Sequence, residues 1–460
     1  MQEKCPECGK PLRFVGQKWE CSGDPFHKIP FSGNRGYTGT TSSPIPRNPA
    51  TNQKGNIQVV PLRYPVLRSP GESSGIIAPK LRCPFCDYEF PLNEATVMST
   101  VNPGKVLRSG QTGTLGRIFG PRGRLDKEIF TSEMAGYQCP RCLLVLPYHY
   151  ESSTNIYIGV VGDTFSGKTH YLAALLSLME EGGMAHNAVF SSVRFVPQTE
   201  YTTKMLEEYR QVFEEQQEFA ITRPFLSGKK DEIPLWSPLI FNMLIRQSNS
   251  VQESRSVNLV FYDLSGEDIA NEPRLAQYGW PVLRAHAFIY LADPLSMKGV
   301  VNLLPTDKKP RADYLSFYAH RSSNEVLDNV ISVVRRWRGL APDAQLSMPV
   351  AITISKSDLL EEIIPAAERQ SMPFLSPVQY DGFVHIDDFM RNHEAISKWL
   401  ITMKEMQLRQ SALYVPNSSF FAVSATGGSA NSVGKFAPMQ SRRCLDPLLW
   451  ILWRFATGAY

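Results

Sequence analysis

Gly162-Asp163-Thr164-Phe165-Ser166-Gly167-Lys168-Thr169 is preceded by Asn155-Ile156-Tyr157-Ile158-Gly159-Val160-Val161 and followed by His170-Tyr171-Leu172-Ala173-Ala174-Leu175-Leu176. The first segment is β-rich and apolar, and the last carries apolar residues at helical spacing, so the order reads strand, glycine loop, helix. The loop fits the pattern GxxxxGK[ST]. That pattern gathers what a phosphate chain needs: converging backbone N–H groups, no obstructing side chains, a mobile ammonium on Lys168 and a cation-binding hydroxyl on Thr169. The competing reading is a glycine-rich structural turn.

Composition sets the frame around this loop. The 460 residues are 43% apolar, enough for two to four domains with real cores. No run of eighteen apolar residues is free of charge; the longest candidate, Pro447-Leu448-Leu449-Trp450-Ile451-Leu452-Trp453, is too short to span a bilayer. The first residues lack the apolar region of a secretory signal, so no membrane span and a cytoplasmic location are expected. Net charge is +4 but uneven: residues 1–150 hold 19 Lys and Arg against 11 Asp and Glu, and the rest hold 29 against 33. Such a basic front suits nucleic acid, anionic lipid, an acidic partner or simply a solvated surface.

Three cysteine pairs or near-pairs punctuate that front. Cys5-Pro6-Glu7-Cys8 is followed by Cys21 and His27, a C-x2-C-x12-C-x5-H arrangement that can close a tetrahedral zinc site, with Asp24 nearby as a rival fourth ligand. Residues 33–80 are rich in Pro, Gly, Ser, Thr and Asn without a sustained period, which reads as a linker. Cys83-Pro84-Phe85-Cys86 and Cys139-Pro140-Arg141-Cys142 then share the template CPxCxxxxP and resemble the halves of a zinc ribbon, a second Zn²⁺ site. Nothing suggests an oxidising compartment, so disulfides are disfavoured. The 52 residues between these pairs include a glycine-rich insertion, 99–135, with Lys105, Arg108, Arg117, Arg122 and Arg124; it reads as a basic loop suited to an anionic contact. The implied domains are 1–32, 33–80, 81–150 and 151–460.

After Tyr150 strands and amphipathic helices alternate, which predicts an α/β fold with a mainly parallel sheet flanked by helices. The helix after the loop should run to about Glu181. A helix-like stretch at Lys204–Gln217 and a strand at Leu239–Ile245 form a partner-facing insertion. Three further strand ends carry chemistry. Val257–Tyr262 delivers Asp263, which could hold a Mg²⁺ shell, and Gly266, whose N–H could reach a γ-phosphate. Ala285–Pro294 is a buried strand with His286 packed in the sheet. Pro349–Ile354 ends in Ser355-Lys356-Ser357-Asp358, where Asp358 could accept from the two edge N–H groups of guanine while the Lys356 stem covers the base. A long helical region at Ile386–Leu408 precedes Ser419–Val423, which ends in Ser424-Ala425 and puts a backbone N–H near the guanine carbonyl. A short amphipathic helix at Asp446–Arg454 closes the chain.

These four strand ends, in this order, resemble the translation-factor-like (TRAFAC) class of P-loop GTPases, over about Asn155 to Tyr460. The resemblance implies a P-loop NTPase fold preceded by small zinc-ribbon modules. It implies phosphate contacts from Gly162, Asp163, Thr164, Phe165, Ser166, Gly167, Lys168, Thr169 and His170, Mg²⁺ at Thr169 and, through water, at Asp263, and base contacts from Lys356, Asp358, Ser424 and Ala425. The zinc modules and large inserts are also similar to bacterial double-GTPase proteins. Two positions depart from the pattern: Ser355 replaces the usual Asn or Thr, and Glu267 stands where many relatives place a water-orienting Gln. The switch threonine is assigned to Thr222, with Arg223 as an internal charge-neutralising finger. Lys168, Thr222, Arg223, Gly266 and Glu267 are thus the residues expected to serve hydrolysis. The expected molecule is a switch binding GTP or GDP, Mg²⁺ and two Zn²⁺, with a protein partner or second GTPase. The alternatives are a P-loop ATPase, and a zinc-ribbon scaffold, possibly nucleic-acid-binding, with a structural nucleotide.

Overall fold

Residues Thr154–Gly162 alternate two sets of apolar side chains, and the chain answers by burying both faces of the strand they form, β8. In a computed structural model of the protein, the described residues are 80–99, 106–108, 135–147, 150–163, 165–180, 190–215, 235–247, 255–264, 279–306, 309, 323–378, 380, 385–429, 435–437 and 440–457, with the backbone of 12–15 and 18–21. Two units divide the chain, Met1–Val59 and Val60–Tyr460. In the first, β1 (Leu12–Val15) and β2 (Lys18–Cys21) make an antiparallel hairpin with Leu12 opposite Cys21. Cys5, Cys8, His27 and the Cys21 side chain lie outside the described residues.

The second unit is organised on a seven-stranded sheet. Its strands are β8, β9 (Phe190–Pro197), β10 (Leu239–Gln247), β11 (Arg255–Asp263), β12 (Ala287–Ala292), β13 (Val350–Ile354) and β14 (Ser418–Ala422), in the spatial order β14-β13-β12-β8-β11-β10-β9. The five strands from β14 to β11 are parallel; β10 and β9 add antiparallel at one edge. Parallel strands need crossovers, and the crossover helices cover both faces, which is why these strands read as near-continuous apolar runs. The period of two then sorts each strand between two cores. Ile156, Ile158 and Val160 of β8, with Leu259, Phe261, Ile289 and Leu291, pack on α1 (Lys168–Glu180) and the last helix, α10 (Asp446–Thr457). Tyr157, Val161, Val260, Tyr262, Phe288 and Tyr290 face the other way, onto α5 (Glu325–Trp337) and the cysteine module.

That module is folded against the sheet. β3 (Lys80–Arg82) pairs with β4 (Glu89–Pro91), and β5 (Thr96–Ser99) lies between β6 (Val106–Arg108) and β7 (Ala135–Gln138). Because β6 falls inside 99–135, that insertion is not loop throughout. The Tyr262 hydroxyl donates to the Pro84 carbonyl (2.8 Å), the Trp236 N–H donates to the Phe85 carbonyl (2.8 Å), and Arg284 pairs with Asp87 (3.1 Å). Leu81, Phe85 and Phe90 join the same apolar core as Tyr157 and Tyr262.

The remaining helices are α2 (Glu200–Glu214), α3 (Trp280–Arg284), α4 (Lys298–Leu303), α6 (Asp358–Ile363), α7 (Ala366–Arg369), α8 (Ile386–Thr402) and α9 (Met406–Leu413). The expected single helix over 386–408 is therefore two. Lys404 takes a left-handed φ of 61°, and the Glu405 and Lys404 N–H groups donate back to the Leu400 and Ile401 carbonyls, a Schellman ending made without glycine. Strand β9 was absent from the expected elements. Thr199 caps α2, accepting from the Thr202 N–H, and Thr202 in turn accepts from the Ile240 N–H, so the supposed partner-facing insertion is tied into the sheet edge. His286 stands just ahead of β12 with an exposed ring, and its Nδ1 accepts from the Tyr157 N–H. Among the described residues no helix is long and apolar enough to cross a membrane.

A row of asparagines crosses the sheet: Asn242 Nδ2 donates to Asn258 Oδ1 (2.7 Å), and Asn258 Nδ2 donates to Asn155 Oδ1 (2.8 Å). A one-residue slip of β11 would break both bonds, so the row fixes register. Asn258→Ala removes a buried partner from each neighbour and is expected to cost about 2–3 kcal/mol. Urea unfolding measures this, and an unchanged midpoint would show that the row contributes nothing.

Candidate functional site

The C-terminal end of β8 opens directly into the glycine loop. Gly162 is forced: a Cβ there would lie 2.5 Å from the Leu291 carbonyl oxygen and 2.8 Å from Ser166 Oγ. Phe165 and Gly167 are both left-handed, with φ of 68° and 82°, so the loop curls around its own centre. Lys168 begins α1 and is buried, its Nζ donating to the carbonyls of Gly162 (3.0 Å) and Asp163 (2.8 Å). Burial pushes this ammonium down from its ordinary range, while Asp263, Asp163 and Asp293 pull it back up. Ser166 Oγ is buried without a hydrogen-bond partner. Asp163, Thr169 and His170 flank this centre, and Thr164 lies outside the described residues.

Two strands away, β13 ends in Ser355-Lys356-Ser357-Asp358. Ser355 N–H and Oγ both donate to the Ala292 carbonyl, at 3.0 and 3.3 Å, which joins the ends of β13 and β12. Lys356 is left-handed (φ 49°), and this turn throws its Nζ onto Asp293 Oδ2 at 2.7 Å. Asp358 opens α6, and its Oδ1 accepts from Ser424 Oγ at 2.6 Å. Burial raises the Asp358 carboxyl above the ordinary range against the pull of that hydrogen bond. Ser424 also accepts from the Gly427 N–H (2.9 Å), so its hydroxyl is held by both groups. Ala425 follows it at the mouth of the same loop.

Asp263 closes β11 beside β8, its register partner being Val160. Helix α2 comes close to it: burial, then the Asp263 charge, push the Tyr201 and Tyr209 phenols up. Gly266, Glu267, Thr222 and Arg223 lie outside the described residues.

A second cluster is made by the cysteines. Cys83, Cys86, Cys139 and Cys142 bring their sulfurs within 4.8 Å of one another, with Cys83–Cys142 at 3.6 Å and Cys86–Cys139 at 3.7 Å. Four thiolates at about 2.3 Å from a tetrahedral Zn²⁺ would stand about 3.8 Å apart, so the donor set fits that ion. The two turns are copies: the Cys83 and Cys139 N–H groups donate to the Tyr88 and Leu144 carbonyls, and Asp87 and Leu143 are both left-handed.

A family model, Double-GTPase 2, matches residues 156–389, just over half of the chain. The chain belongs to the Double-GTPase 2 family. No curated protein matches it. Among solved structures, this Double-GTPase 2 chain is similar to the GTPase-like domain of Ski7 from S. cerevisiae bound to GDP and inorganic phosphate, at 13% identity over 66% of this chain and 51% of that one, with a TM-score of 0.27. It is also similar to Sup35 complexed with GDP, at 13% identity over 59% and 38%, with a TM-score of 0.22. Both likenesses are loose, and the chain spans about half or less of those structures.

Within this Double-GTPase 2 chain, the structure adds residues that sequence reading passed over. Asp293 is buried at the end of β12 and fixes Lys356; only its place after an apolar run hinted at it. Arg442 pairs with Glu361, linking α6 to the segment beside Ser424, and no motif marks that pair. Arg443, left-handed and buried, binds Asp388 and Asp446, each at 2.8 Å, behind the same segment. For the cysteines, Cys86→Ser with Cys139→Ser should remove one equivalent of zinc per full-length chain. The cluster shares a core with Tyr157 and Tyr262, so stability should fall by on the order of 3 kcal/mol or more in one transition. Unchanged metal content would sink the zinc assignment, and an unchanged melt would sink its structural role.

Proposed function

We propose that this protein is a GTP-binding and GTP-hydrolysing switch. The observation that carries the reading is the Asp358–Ser424 bond beside the Lys356–Asp293 pair, on the same sheet edge as the Gly162–Thr169 loop. A phosphate chain on the loop leaves the base at Asp358, whose carboxylate matches two adjacent donors on guanine and none arranged that way on adenine. Lys168 would exchange its loop carbonyls for phosphate oxygens, and Gly162 through His170 would supply the N–H cradle. Thr169 and Asp263 would hold Mg²⁺, which supplies charge neutralisation at the phosphates. Gly266 is assigned to the γ-phosphate, Glu267 to the attacking water, and Thr222 with Arg223 to closure and charge compensation. Cytoplasmic action and a second zinc on Cys5, Cys8, Cys21 and His27 complete the proposal.

A protein partner is part of it. One knuckle of the ribbon is buried against the sheet, but the other presents Leu143, Leu144 and Val145, three consecutive exposed apolar residues. This favours protein recognition at that knuckle over a bare spacer. The basic insertion, the feature that would favour nucleic acid, is described only at Val106–Arg108.

Calorimetric titration of GDP and ADP decides the guanine reading. GDP should bind at least about 100-fold more tightly than ADP, and Asp358→Ala should abolish the difference. Equal affinities, unchanged by the substitution, would leave an ATPase or a structural nucleotide. The carboxyl must be ionised to accept from guanine, so GDP affinity should be flat at high pH. It should fall as pH drops through the raised Asp358 value, above the range of a solvated carboxyl, and Asp358→Ala should lack that limb.

A further inference from the structure

The segment that leaves β14 through Ser424 returns at Arg442, and its base is pinned. Arg442 N–H donates to the Ser424 carbonyl (2.7 Å), Ser424 N–H to the Arg442 carbonyl (3.1 Å), and Gln440 N–H to the Thr426 carbonyl (3.1 Å). Gly427 permits this approach: its φ is 77°, and a Cβ there would meet the Gln440 carbonyl oxygen at 2.7 Å. The returning limb carries Phe436, half-buried, to His170. Their ring centroids are 5.6 Å apart at 67°, an edge-to-face contact between this segment and the first turn of α1.

The contact lies between two anchors. His170 follows Thr169 at the phosphate end. Lys356, two residues from Asp358, is near enough for its charge to add to burial in lowering the His170 imidazole to about 4, so the ring is neutral at pH 7. A nucleotide with phosphates on the loop and base on Asp358 must lay its nucleoside across this interval. We propose that Phe436 is a base-contacting residue, forming with His170 an aromatic wall opposite the Lys356 stem for the purine ring of the bound nucleotide. The inference rests on the guanine-nucleotide reading above. It gives the segment after Ser424 a chemical task that Ser424 and Ala425 do not cover: holding the flat face of the ring while Asp358 reads its edge.

The test uses the full chain and two ligands, GDP and inorganic tripolyphosphate. Phe436→Ala should weaken GDP about tenfold, mainly through faster release, and leave tripolyphosphate affinity unchanged, which also shows that the variant is folded. Phe436→Trp should restore GDP affinity and change its fluorescence on adding GDP relative to the wild type. GDP binding unaffected by Phe436→Ala overturns the inference while the guanine reading stands. Equal weakening of both ligands also overturns it, because a loosened loop rather than a lost ring contact would be the cause. A wild-type chain that binds tripolyphosphate but not GDP overturns the guanine reading and this inference together.

Discussion

The burial of β8 on both faces and along both edges is the constraint from which the rest of the second unit follows. A strand with parallel neighbours on each side, β11 and β12, cannot be reached by hairpins, so each connection must cross over the sheet. Crossovers place the loops that follow β8, β11, β12, β13 and β14 at one sheet edge. Asp263, Asp293, Asp358 and Ser424 are thereby collected beside Lys168, although Ser424 lies more than 250 residues along the chain from it. The site is a consequence of strand order before it is a consequence of any loop.

The cysteine module belongs to the same construction. Its first knuckle grips Tyr262, the residue before Asp263, and Arg284 at the end of α3. Arg284 also lies over the Trp337 ring at 4.5 Å, extending the contact to the end of α5. A metal that folds the knuckle would therefore contribute its binding free energy to the face of the sheet that carries Tyr157, Tyr262 and Tyr290. Sequence reading treated the ribbon as an outward-facing module, because nothing in CPxCxxxxP says which surface its Pro84 and Phe85 carbonyls will meet.

What was legible had local punctuation. The loop and the four strand ends announce themselves through glycine, lysine and carboxylates at the close of apolar runs, and Gly339, left-handed at φ 66°, marks the end of α5 as glycine usually does. Lys404 performs the same turn in the 386–408 region with no such sign, so one helix was expected where two exist. Strand β9 was missed because an edge strand needs only one partner and half an apolar pattern. Asp293 was missed for a different reason: its role depends on the left-handed turn at Lys356, 63 positions away, which no local pattern encodes. Ser355, which departs from the family pattern, still ties β13 to β12 through the Ala292 carbonyl, so the departure leaves the scaffold under Lys356 intact.

The electrostatics of the site also argue for the cation in the proposal. Lys168 feels three carboxylates, Asp263, Asp163 and Asp293, and Lys356 is already committed to Asp293. The ammonium groups are thus outnumbered before any ligand arrives. A triphosphate placed on Gly162–Thr169 would add several negative charges within a water-poor loop, where Coulomb repulsion is weakly screened. Lys168 alone cannot offset both Asp263 and the phosphates. A divalent cation between Thr169 and Asp263 reverses the sign of that interaction, turning the nearest carboxylate from an obstacle into a ligand. The same reasoning explains why Asp358 can afford to be so buried: it stands at the far end of the site, where the incoming groups are donors and not anions.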